Sequence, residues 1–124
     1  MDKLKNILYI EDEDVSFQVV KRFLENLYVV ENAENAENAI QLLERNKYDL
    51  ILMDISLKHS ISGLDLTRLI RVMPEYLHIP ILAVTAHAMV GDKEKILESG
   101  CNGYLSKPFS RMELINHINE LMNT

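Results

Sequence analysis

Apolar residues fall into two patterns along the chain, short unbroken runs and longer stretches in which they recur every three or four positions. The runs are Ile7-Leu8-Tyr9-Ile10, Tyr28-Val29-Val30, the Leu50-Ile51-Leu52-Met53 part of a segment from Tyr48 to Asp54, Ile81-Leu82-Ala83-Val84, and Gly103 to Ser106. Runs bounded by polar residues read as strands buried on both faces, which a parallel sheet covered by helices requires. After the first run, Val15, Val19 and Phe23 with Val20, Leu24 and Leu27 predict a helix that buries one stripe and leaves Lys21, Arg22 and Glu25 in water. A Glu-Asn-Ala triplet repeats from Glu31 to Ala39 and leads into Ile40, Leu42 and Leu43. The latter part of the repeat reads as a second helix, capped by Asn35 or Asn38. A Ser-x-x-Asp box at Ser62 and Asp65 opens a third helix that ends near Met73-Pro74. The fourth runs from about Gly91-Asp92 to Ser99, with Gly100 placed as a left-handed C-cap. The fifth follows the capping box of Ser110 and Glu113 and buries Leu114, Ile115, Ile118, Leu121 and Met122.

Five alternations of strand and helix with short connections predict an α/β domain, a parallel sheet with helices on both faces and right-handed crossovers. Parallel strands bring their carboxyl ends to one edge, where open α/β sheets bind ligands. Four of the five strands end there in chemistry: Glu11 and Asp12 after the first, Asp54 on the third, Thr85 followed by Ala86 after the fourth, and Lys107-Pro108 after the fifth. Singly, each residue has a plain structural use, as a helix cap, a strand-end hydroxyl or a solvated lysine. Together they form a constellation. Three crowded carboxylates repel one another, and a divalent cation with oxygen ligands keeps them ionised; two or three acids plus waters suit Mg²⁺. A carboxylate nucleophile flanked by Mg²⁺, a lysine and a hydroxyl meets the needs of phosphoryl transfer, in-line positioning and neutralised oxygens, with an aspartyl phosphate as product.

Composition narrows the class without changing the picture. The chain has 124 residues, which predicts one domain over 1–124 with no output domain attached. Hydrophobic residues make up 48% and charged residues 26%, ordinary values for a soluble globular protein, and no apolar stretch approaches bilayer length. Residues 1–6 carry no signal-peptide core and Cys101 is the only cysteine, so the expected location is the reducing cytoplasm. A net charge of −6 opposes nonspecific attraction to nucleic acid or anionic lipid. The four histidines, His59, His78, His87 and His117, lack metal-ligand spacing and read as surface residues. Cys101 reads as a partly buried small hydrophobe.

The segments Ile-Leu-Tyr-Ile-Glu-Asp, Leu-Ile-Leu-Met-Asp-Ile, Ala-Val-Thr-Ala and Leu-Ser-Lys-Pro-Phe, in this order and at these separations, resemble the receiver domain of two-component response regulators. The resemblance covers essentially the whole chain and is strong to receivers found as stand-alone regulators or attached to hybrid histidine kinases. It implies a flavodoxin-like doubly wound sheet of five strands in the order 2-1-3-4-5. It implies that Asp54 accepts phosphate, that Asp12 and Asp54 hold Mg²⁺ with the backbone carbonyl of Ser56, and that Glu11 acts on the metal mainly through water. Thr85 is then the switch hydroxyl, Lys107 pairs with a phosphoryl oxygen, and Tyr104 follows Thr85 inward. Lys107-Pro108 is implied to be cis. Ser56 and His87, two residues beyond Asp54 and Thr85, match positions that tune dephosphorylation, and Ala86 lies in the same switch segment. The implied partner is a histidine kinase or histidine phosphotransfer protein, with output to a protein target through helix four, strand five and helix five; Met89 and Val90 are apolar candidates for that surface. Two departures bear on loops. Lys58 stands where the family often carries Pro, with Gly63 nine residues after Asp54 as in a longer-loop subset. The link before strand two lacks the usual Gly, which leaves Asn26 to supply the turn.

Other classes fit less well. A phosphohydrolase of the haloacid-dehalogenase type needs a second acid two residues after the nucleophile, where this chain has Ser56. A flavodoxin-like electron carrier needs a Gly/Ser/Thr phosphate loop after strand one, where acids stand. A receiver-like docking module that never uses phosphate remains as the alternative.

Overall fold

The computed structural model describes residues 3–57, 61–86 and 92–123. Five strands, β1 (Lys5–Ile10), β2 (Tyr28–Ala33), β3 (Leu50–Asp54), β4 (Ile81–Thr85) and β5 (Gly103–Ser106), alternate with helices α1 (Asp14–Phe23), α2 (Ala36–Arg45), α3 (Gly63–Arg71), α4 (Asp92–Ser99) and α5 (Arg111–Met122). The strands form one sheet in the order β2-β1-β3-β4-β5, and every neighbouring pair is parallel. The expected doubly wound order is therefore the observed one.

Strand periodicity divides the core. Leu8, Ile10, Ile51, Met53, Ile81 and Ala83 face a cluster that includes Ala39 and Leu43 of α2, Leu66 and Ile70 of α3, and Ile96 of α4. The alternate residues Ile7, Tyr9, Leu50, Leu52, Leu82 and Val84 pack on Phe17 and Val20 of α1 and Leu114 and Ile118 of α5. Side chains on a strand alternate between faces, so covering both faces demands the unbroken apolar runs of the sequence. All residues of β3 and β4 are buried, each large one contributing about 1.5–3 kcal/mol. Asp54 and Thr85 end these two strands and are carried inward with them.

The caps follow side-chain chemistry. Asn35 rather than Asn38 caps α2, its side chain accepting the Asn38 N–H at 2.8 Å. Ser62 Oγ accepts from Asp65 N at 3.2 Å, and Ser110 with Glu113 forms a reciprocal box at the start of α5. Asn26 has φ of 68° and Gly100 of 117°, the left-handed turns expected of them. At Gly100 a Cβ would meet Arg71 Cγ at 2.8 Å. That arginine clasps the turn, donating to Gly100 O at 2.9 Å and Asn102 Oδ1 at 2.7 Å.

Three expectations are corrected. The buried stripe of α1 is Phe17 and Val20, continued by Leu24, whereas Val15 is 75% exposed and Val19 44%. The predicted stripe omits Phe17, whose ring, 6.5 Å from that of Tyr9 between centroids, occupies the core. Strand β2 extends to Ala33, because Glu31, Asn32 and Ala33 pair with Leu8, Tyr9 and Ile10. One triplet of the repeat is thus strand and the rest leads into helix: backbone pairing, not composition, decides. Helix α3 stops at Arg71 and a 3₁₀ turn follows at Pro74–Tyr76, the proline fitting its first position. Lys58, His59, His87, Met89 and Val90 lie outside the described residues.

Candidate functional site

The turn after β1 is nailed down by backbone and amide contacts. Glu11 N donates to Ala33 O at 2.9 Å, and Asn32 Nδ2 donates to the carbonyls of Tyr9 and Glu11 at 3.1 and 3.0 Å. This fixes Glu11 as a buried carboxylate, 1% exposed. Its Oε1 accepts from the Tyr9 hydroxyl and from Lys107 Nζ, both at 2.8 Å, and its Oε2 accepts from Glu13 N at 3.3 Å.

Asp54, at the end of β3 and 4% exposed, accepts the Ser56 N–H on Oδ1 at 2.9 Å. Lys107 Nζ lies 3.9 Å from its Oδ2. One carboxylate oxygen each from Glu11, Asp12 and Asp54 falls within 4.8 Å of the others. Asp12 is half-buried, and its Oδ1 is a buried oxygen that receives no hydrogen bond, although the residue interacts elsewhere. Lys107 reaches this group because its N–H donates to Thr85 O at 2.7 Å, tying the end of β5 to that of β4. Thr85 is 2% exposed, Ala86 is exposed, and the Lys107–Pro108 bond is cis. Tyr104 is half-buried, with Lys93 Nζ 5.6 Å from its ring centroid. The structure thus brings Glu11, Asp12, Asp54 and Lys107 together, sets Thr85 on the adjacent strand end, and keeps Tyr104 on β5.

Glu11 and Asp54 do not ionise independently. Burial, then the hydrogen bond to and charge of Glu11, push the Asp54 carboxyl up to about 7, against the opposing Ser56 N–H and Lys107. Burial also acts to raise Glu11, but hydrogen bonds from Asp54, Lys107 and Tyr9 outweigh it and hold Glu11 low. Of the two, Asp54 is therefore the carboxyl that more readily holds a proton. Such a set of hard oxygen donors fits a divalent cation, which on binding would displace the proton from Asp54.

Two supports of the site went unread in the sequence: the Tyr9 hydroxyl and the Asn32 amide. A signal existed for the first. Tyr9 and Glu11 are two residues apart at a strand end, which places their side chains on the same face. Asn32 gave none, since it sat inside a repeat read as compositional.

A parallel five-stranded sheet with three carboxylates and a lysine at its carboxyl edge defines a class of receiver-like α/β domains. The sequence confirms the membership: residues 7–119 match the response regulator receiver domain, and the chain belongs to that family. It is 37% identical over 115 residues to the polar-differentiation response regulator DivK of Brucella anthropi, covering 92% of this chain and 93% of that protein. Among solved structures, the receiver domain of a sensor histidine kinase from Pseudomonas aeruginosa PAO1 is similar at a TM-score of 0.89 and 36% identity, over 98% of this chain and 100% of that one. That domain has a magnesium ion coordinated in its active-site cleft. A response regulator from Chloroflexus aurantiacus superposes at a TM-score of 0.92 with 29% identity, over 98% and 100% of the two chains. Among the described residues no helix is long and apolar enough to cross a membrane.

Proposed function

We propose that this chain is a phosphorylation-driven switch that takes a phosphoryl group from a phosphohistidine donor onto Asp54. The observation that carries the reading is the gathering of Glu11, Asp12 and Asp54 around one point with Lys107 beside them. Asp12, Asp54 and the Ser56 carbonyl would hold Mg²⁺, with Glu11 acting through water. When bound, the ion supplies positive charge to the oxygens of the transferred group. Asp54 attacks phosphorus as the bond to the donor imidazole breaks, so one P–O bond forms and one P–N bond is lost. The Ser56 N–H fixes the carboxylate plane for that attack. Lys107 leaves Glu11 for a phosphoryl oxygen, and the Thr85 hydroxyl supplies a further hydrogen bond. The chain thereby catalyses only its own phosphorylation and dephosphorylation, with Ser56 and His87 governing access of the hydrolytic water.

The donor must bring its imidazole into line with Asp54 and so must seat on the rim of the site. Val15, Val19, Ala86, Pro108 and Phe109 line an apolar groove there, next to Lys107. An apolar helix face of a histidine kinase or phosphotransfer protein suits it. Output passes to a protein target through α4, β5 and α5, where Thr85 and Tyr104 connect the phosphoryl group to the surface.

The test is the intact mass after incubation with acetyl phosphate and Mg²⁺. A gain of one phosphoryl group, absent in Asp54→Asn and in a metal-free sample, is the expected result. Failure with acetyl phosphate and with a panel of phosphorylated histidine proteins would overturn the switch in favour of a docking module.

A further inference from the structure

Glu11 Oε1 carries two hydrogen bonds of equal length, one from a cation that phosphoryl transfer reuses and one from a residue with no assigned part in it. The Tyr9 hydroxyl donates at 2.8 Å, and Tyr9 is 0% exposed, so water offers that hydroxyl no exchange partner. Its ring packs near Phe17, with centroids 6.5 Å apart, in the core shared by α1 and α5. The hydroxyl thus stands on a rigid support, two residues before the group it holds. Glu11 Oε2 has its own donor, the Glu13 N–H at 3.3 Å. With two hydrogen bonds on Oε1, coordination of an ion by that oxygen must break one of them.

We infer that Tyr9 is a positioning residue that holds the Glu11 carboxylate back, so that it meets a bound cation through water and the site favours Mg²⁺ over larger ions. The inference rests on the reading that the acidic cluster holds Mg²⁺. Mg²⁺ is small, demands a strict octahedron and keeps several waters, whereas Ca²⁺ takes six to eight oxygens and readily accepts another carboxylate. A tethered Glu11 leaves space for water on the Mg²⁺ side. An untethered one swings in and completes a larger shell. Asn32 reinforces the tether by holding the backbone carbonyls of Tyr9 and Glu11 with one amide.

The test is calorimetric titration of Mg²⁺ and of Ca²⁺ into the wild-type chain, Tyr9→Phe, Phe17→Leu, Glu11→Ala and Tyr9→Phe/Glu11→Ala, at pH 8. Tyr9→Phe removes one oxygen and keeps the ring, and the loss of one buried hydrogen bond should lower the Mg²⁺ to Ca²⁺ affinity ratio by about fivefold. Phe17→Leu disturbs the same packing without touching the tether and should leave the ratio unchanged. In the Glu11→Ala background, Tyr9→Phe should have no further effect on the ratio. An unchanged ratio in Tyr9→Phe, an equal fall in Phe17→Leu, or an effect that persists without Glu11 would overturn the tether alone. A wild-type chain that binds neither ion would overturn the metal reading and the tether with it.

Discussion

Lys107 extends its ammonium from the end of β5 to within 2.8 Å of Glu11 Oε1 beyond the end of β1, an ion pair that spans 96 residues of sequence. The lysine is 24% exposed and the carboxylate is fully buried, so the pair stabilises this edge chiefly by sparing Glu11 an uncompensated charge.

Replacing the cation therefore has two separable effects. Lys107→Met should destabilise the metal-free protein by about 1–3 kcal/mol, below the cost of breaking a fully buried pair because solvent screens the lysine. Under the proposed transfer it should also slow labelling by acetyl phosphate by tenfold or more, because the charge that would face the transferred oxygens is lost. Urea unfolding and mass-resolved labelling measure the two. A variant as stable as wild type would show that Glu11 needs no cation from this side.

The proton on Asp54 links metal binding to pH. Its carboxyl sits at about 7 in the folded chain, raised from 3.8, so between those values the folded state holds a proton that the unfolded state has lost. Stability of the metal-free protein is then greatest at the acid end of this window and falls as pH rises through 7. Glu11 is shifted the other way, and its contribution is lost only as pH falls below the ordinary carboxylate range. Melting temperatures in chelator should drop from pH 5.5 to pH 8, and Mg²⁺ affinity should strengthen over the same interval. Asp54→Asn should flatten both trends and raise stability at pH 8 by about 1–2 kcal/mol. A melting temperature that climbs steadily to pH 8 without metal would contradict the assignment.

Gly63 marks a close approach behind the same residue. A Cβ at this position would collide with the Asp54 carbonyl oxygen and lie 2.9 Å from Ile55 Cα, both backbone atoms that cannot rotate away. Gly63→Ala should therefore cost about 1–3 kcal/mol by moving the start of α3 away from β3. The expected readout is a lower urea midpoint together with slower acetyl phosphate labelling, since the displaced carbonyl belongs to Asp54. Wild-type stability in this variant would mean that the loop after β3 yields without strain.

Some of this architecture was legible in the residues and some was not. Unbroken apolar runs revealed β3 and β4 because both faces of those strands are covered, leaving no room for a polar residue until Asp54 and Thr85. Edge position hid the true length of β2: its burial alternates, and Glu31 and Asn32 look like loop until their pairing with β1 is seen. In α1 the three- and four-residue spacing of the valines drew the stripe away from Phe17, which packs beside Tyr9 in the core. The convergence of acids followed from parallel strands alone. Hydrogen bonds such as Tyr9 to Glu11 and Asn32 to the turn depend on rotamers, which periodicity does not encode.

The face of α1 left out of the core gives the last prediction. Val15 at 75% and Val19 at 44% exposure stand beside Pro108 and Phe109, so apolar surface lies in water on the rim nearest Lys107. Under the proposed transfer, burial against a donor helix is the simplest use of such a rim, because a phosphohistidine would have to be held steady while acetyl phosphate, a small free donor, need only diffuse in. Val15→Asp should thus slow transfer from a phosphorylated histidine protein by about tenfold while leaving acetyl phosphate labelling within about twofold of wild type. Exposed on the helix surface, the substitution should leave stability within about 0.5 kcal/mol. Measured side by side, equal slowing with both donors would place the effect in the site itself, and no slowing with either would mean that the donor docks elsewhere.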